Sequence, residues 1–112
     1  MNLFKGKRAN HINIPPQEAR RMMEGTESFT LLDVRTPQEY KQARIEGAKL
    51  IPVDELGSRA ASEMPDKNKL VLVYCQSGMR ADRAAKMLKQ MGYVNVYNFG
   101  GIVDWPYGTV KG

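Results

Sequence analysis

The stretch that most limits the possible folds is Leu70-Val71-Leu72-Val73-Tyr74. It runs straight into Cys75-Gln76-Ser77-Gly78-Met79-Arg80 and then into an Ala-rich helical pattern. A short, continuous apolar run that ends at a turn reads as a strand buried on both faces. Beyond the turn, Ala81, Ala84, Ala85, Leu88 and Met91 share one helical face, with Asp82, Arg83, Lys86, Lys89 and Gln90 on the other. A doubly buried strand that leads directly into an amphipathic helix is one unit of a parallel α/β sheet.

The rest of the chain supplies matching units. Residues 29–34 read as a second buried strand, and Lys49-Leu50-Ile51 as a short one ended by Pro52. Tyr93-Val94-Asn95-Val96-Tyr97 reads as the last strand, and His11-Ile12-Asn13-Ile14 as an edge strand. Pro15 and Pro16 open a helix that turns Ala19, Met22 and Met23 inward, and Gly25 stops it. Thr36-Pro37-Gln38-Glu39 is a capping box that starts a helix to about Gln42. Asp54 is placed to cap a helix to about Met64, and Gly92 ends the helix after the cysteine loop. Gly100-Gly101 makes a turn before a short helix, with Trp105 as a core anchor. The expectation is an α/β fold with a small central parallel sheet and helices on both faces. A loose basic tail over residues 1–10 precedes a single domain over residues 11–112.

Composition excludes several classes of function. The 112 residues make one domain with room for one core. No apolar stretch approaches the roughly 20 residues that span a bilayer, so no membrane segment is expected. One cysteine permits no intrachain disulfide and suits a reducing, cytoplasmic location. One cysteine and one histidine make no zinc site, so neither metal nor cofactor is expected. The net charge of +5 concentrates small anions near the surface. The cluster Lys5, Lys7, Arg8 lacks the aromatic interleaving of a nucleic-acid surface, so no nucleic-acid partner is expected.

Cys75 carries the chemistry. A strand delivers it to a tight loop at a helix N-terminus, where unpaired N–H groups and the helix dipole favour the thiolate. Gly78 lets the loop curl its N–H groups inward, and Arg80 adds a permanent charge that forks onto oxyanions. A buried, inert cysteine is the plain alternative for any lone thiol after a strand; the glycine, the arginine and the strand-to-helix setting argue against it. Met79 stands at the mouth of the loop. Asp33 and Arg35, at the C-terminal end of the second strand, lie where function gathers in parallel sheets. Asp33 is read as a structural carboxylate that orients the loop, because a carboxylate touching the thiol would work against its ionisation. His11 is read as a surface residue.

The loop CQSGMR resembles the Cys-x-x-Gly-x-Arg loop of the rhodanese family of sulfurtransferases. Thr30 to Tyr40 is similar to the family's first signature, Ile45 to Pro52 to its second, and Gly100-Gly101 with Trp105 to its C-terminal one. Arg44 and Glu46 depart from it, since many members have His and Pro at those positions. The resemblance implies the rhodanese fold and sulfur transfer through a persulfide on Cys75. The partners it implies are a small anionic sulfur donor such as thiosulfate and a thiol or cyanide acceptor. Gln76, Ser77, Gly78, Met79 and Arg80 would then cup the persulfide, with Arg80 binding the donor's oxyanion end or reinforcing the cup. Asp33 and Arg35 would support them. The chain works as a monomer or a homodimer. Two rivals stand beside this reading. Cysteine phosphatases and arsenate reductases have one residue more between Cys and Arg. The other is a non-catalytic binding or persulfide-carrier module on the same fold; degenerate modules usually lose the cysteine, and this chain keeps it.

Overall fold

The computed structural model describes residues 12–112. The expected basic tail and His11 lie outside the described residues. Among the described residues five strands form one parallel sheet in the spatial order β1-β5-β4-β2-β3. They are β1 Ile12–Asn13, β2 Phe29–Asp33, β3 Lys49–Leu50, β4 Leu70–Cys75 and β5 Val96–Gly101. The central β4 is buried at all six positions. It pairs with β2 from Phe29↔Leu70 to Asp33↔Tyr74, and with β5 on its other side.

Alternation along β4 divides the core in two. Val71, Val73 and Cys75 face one side, where they pack with α3 (Leu56–Glu63) and α4 (Met79–Gln90). Leu70, Leu72 and Tyr74 face the other, packed with Ala19 of α1 (Pro16–Glu24), Phe99 and Trp105. Tyr40 of α2 (Pro37–Gln42) adds to that second layer. Small side chains hold α4 close to the sheet, since Ala81, Ala84 and Ala85 are all fully buried. The sheet thus has helices on both faces, as the patterning implies.

Four local readings shift. The last strand is β5, Val96–Gly101, and not residues 93–97. Tyr93 instead turns into the core, where its hydroxyl donates to the carbonyls of Ala60 and Met64 at 3.0 and 2.5 Å. The strand continues into the diglycine because Gly101 pairs with Cys75 across a register shift. Asp54 does not cap α3; it pairs with Arg83 at 3.1 Å, and a 3₁₀ turn over Val53–Glu55 leads into the helix. Helix α4 starts two residues before Ala81, with Gly78 as its N-cap. β1 ends at Asn13, one residue before the expected end at Ile14.

Candidate active site

β4 ends at Cys75, and the chain turns through Gln76, Ser77 and Gly78 into α4. The turn is possible because Gly78 has φ +111°, a left-handed conformation that a Cβ disfavours. No side chain caps this end of α4, so none competes for its first N–H groups. The Gly78 N–H donates to Cys75 Sγ at 2.9 Å. The sulfur is therefore buried, at 1% exposure, yet carries a backbone donor at the positive end of a helix. Such donors stabilise negative charge on sulfur without a histidine.

The loop is held from three sides. From β2, Asp33 and Arg35 form a buried pair. Arg35 Nη2 and Nε donate to the Asp33 carboxylate at 2.7 and 3.0 Å. Arg35 also donates to the Ala43 carbonyl at 2.6 Å and, through Nη1, to Gln76 Oε1 at 3.2 Å. Burial works against the Arg35 charge, but Asp33 outweighs it and keeps the guanidinium protonated. Asp33 thus reaches the loop through Arg35 and Gln76, and its carboxylate is occupied by the arginine.

From α2, Glu39 grips Arg80. The two Nη atoms of Arg80 donate to the two carboxylate oxygens at 2.8 and 2.9 Å. Glu39 also closes the capping box, accepting from the Thr36 N–H at 2.9 Å. The Arg80 hydrogen bonds, aided by those from Thr36, hold the Glu39 carboxyl down to about 2. Arg80 is thereby pointed at α2 and committed to a carboxylate.

From β5, Gly101 lies directly beneath the loop. A Cβ there would meet the Gln76 carbonyl oxygen at 2.1 Å and Ser77 Cα at 2.6 Å. Asn98, buried, accepts the Gly100 N–H at 2.9 Å and shapes this diglycine.

Cys75 to Arg80 form one contiguous turn from β4 into α4, with Ser77 and Met79 exposed. Sequence reasoning missed Glu39 and Asn98 as supports of the site, and it read Gly101 as a turn residue within the C-terminal signature, without its contact to the loop. The one available signal for Glu39 was its place as a capping carboxylate just beyond the end of β2. No group of three metal-ligating side chains exists among the described residues.

Residues 15–106 match the family model described as Rhodanese-like domain. The chain belongs to this family. The rhodanese-like domain is 43% identical over 81 residues to the thiosulfate sulfurtransferase PspE of Escherichia coli (strain K12), covering 72% of this chain and 78% of PspE. It is 38% identical over 88 residues to YqhL of Bacillus subtilis (strain 168), an uncharacterized protein, covering 78% of this chain and 68% of YqhL. A solved structure, rhodanese with anions from E. coli, aligns with TM-score 0.71 at 41% identity over 76% of this chain and 100% of that one. The crystal structure of Alr3790 from Anabaena sp. aligns with TM-score 0.78 at 28% identity over 88% and 80%.

Within this rhodanese-like domain the departing residue Arg44 has a structural use. Its backbone exchanges two 2.8 Å hydrogen bonds with Val110, and its Nη1 donates to the Gly112 carbonyl at 2.9 Å. Its guanidinium lies 4.6 Å from the Tyr40 ring centroid. Arg44 therefore ties down the C-terminal segment, while Glu46 is exposed. No helix among the described residues is long and apolar enough to cross a membrane.

Proposed function

We propose that this domain transfers sulfane sulfur by double displacement at Cys75, with thiosulfate or a similar compound as donor. The observation that carries the reading is the Gly78 N–H on the Cys75 sulfur at the uncapped N-terminus of α4. Similarity to a protein named thiosulfate sulfurtransferase supports the donor class.

In the first half-reaction the Cys75 thiolate attacks the outer sulfur of thiosulfate. The donor's S–S bond breaks, its electron pair leaves with sulfite, and a new S–S bond makes Cys75 a persulfide. In the second half-reaction an acceptor attacks the terminal sulfur and the Cys75 thiolate is released. Cyanide as acceptor leaves as thiocyanate; a thiolate leaves as a new persulfide. The terminal sulfur is anionic, and the N–H groups of residues 76 to 80 would cup it as an oxyanion hole cups oxygen. Gln76, Ser77, Gly78, Met79 and Arg80 form that cup, with Asp33 and Arg35 steadying Gln76.

Attack by the Cys75 thiolate needs no general base, and each step is a displacement at sulfur that calls for no cofactor or metal. The lone thiol suits the cytoplasm. A monomer contains the whole scheme, and a homodimer would carry two independent copies of it.

Initial rates test the reading, with thiosulfate and cyanide varied together. A persulfide intermediate gives parallel double-reciprocal lines. Lines that converge would contradict the covalent scheme.

A further inference from the structure

The donor's reacting sulfur must reach Cys75 on the floor of the loop, so the rest of the donor projects from its mouth. Two apolar side chains stand exposed there. Met79 is 81% exposed, and Val103, whose N–H approaches the Gln76 carbonyl at 3.4 Å, is 62% exposed. Among the described residues, four cations on and around the loop are engaged. Arg80 is held by Glu39 through both Nη atoms, and Arg35 by Asp33. On the first turns of α4, Arg83 pairs with Asp54 and Lys86 with Asp82, both at 3.1 Å. Each of these positive charges has a carboxylate against it.

Thiosulfate carries a sulfonate behind its reactive sulfur, and that end would stand at the apolar mouth beside neutralised cations. An alkyl persulfide presents the same outer sulfur on a carbon body with no oxyanion. We infer that Glu39 is a specificity-determining residue: by engaging Arg80 it turns the cradle from oxyanion donors toward sulfane sulfur carried on an alkyl thiol. The inference rests on the sulfurtransferase reading above and narrows its donor. The step is balanced: Cys75–S⁻ attacks the outer sulfur of R–S–SH, the donor's S–S bond breaks, and R–S⁻ leaves with the electron pair. Cys75–S–SH remains.

The test is the rate of sulfur loading onto Cys75, followed by intact mass, with thiosulfate and with the persulfide of N-acetylcysteine amide. Cys75→Ser is the blank. The wild-type protein is expected to prefer the alkyl persulfide by about tenfold or more, and Glu39→Gln to shift the ratio toward thiosulfate by about fivefold as the Arg80 charge is released. If Glu39 merely clamps the loop, Glu39→Gln slows both donors together and leaves the ratio unmoved, which overturns the inference. Met79→Lys sets a cation at the mouth without touching Glu39, and it too must shift the ratio toward thiosulfate. A wild-type preference for thiosulfate overturns the donor assignment and leaves the transfer chemistry standing. No loading by either donor removes both.

Discussion

Gly101 lies so close beneath Gln76 that a Cβ on it would stand 2.1 Å from the Gln76 carbonyl oxygen. The obstacle is backbone, so no side-chain rotation relieves it. The Gly101 φ of −122° is ordinary, which makes space the constraint and not conformation. Gly101→Ala must therefore push the cysteine loop out of place. Overpacking of this kind costs about 1–3 kcal/mol. Displacing the N–H groups should also cut transfer by about a hundredfold. Thermal melts and thiocyanate formation check both. A variant that melts and turns over like wild type contradicts the packing.

Asp33 and Arg35 form a pair with side chains 0% and 2% exposed. Two charges out of water are tolerable only while each satisfies the other. Asp33→Ala strands a buried guanidinium, and the expected loss is about 3–5 kcal/mol in urea unfolding. A loss under about 1 kcal/mol, the range of an exposed pair, would contradict the burial.

The Glu39 carboxyl is held down from 4.5 to about 2, first by its hydrogen bond from Arg80. A carboxyl with a lowered folded-state value contributes stability above its unfolded value and loses it as pH falls through the folded one. The window is therefore about pH 4.5 down to about 2. Wild type should melt higher than Glu39→Gln at neutral pH, and the gap should close across that window. A gap constant down to the bottom of the window means Glu39 is not the titrating group.

What the sequence made legible was local. The β4 run, the capping box at Thr36 and the Ala face of α4 are all short-range patterns, and the structure realises each. The cysteine loop was legible for the same reason, since Cys75 to Arg80 are contiguous. What stayed hidden depends on contacts far apart in the chain. Glu39 meets Arg80 across 41 residues, and nothing in a capping box announces a second partner. Gly101 looked like turn chemistry because its close neighbour, the Gln76 carbonyl, is fixed only once β5 pairs with β4. The β5 boundary shifted because Tyr93 buries its ring in the core and reaches carbonyls on the α3 side, which alternation over residues 93–97 cannot reveal.

The most direct test of the central claim is an intact mass of the protein after incubation with excess thiosulfate, beside Cys75→Ser. The expected result is a gain of one sulfur, about 32 Da, on the wild type alone, lost on adding cyanide, with both proteins melting alike. An unchanged wild-type mass, or the same gain on Cys75→Ser, would contradict a persulfide on Cys75.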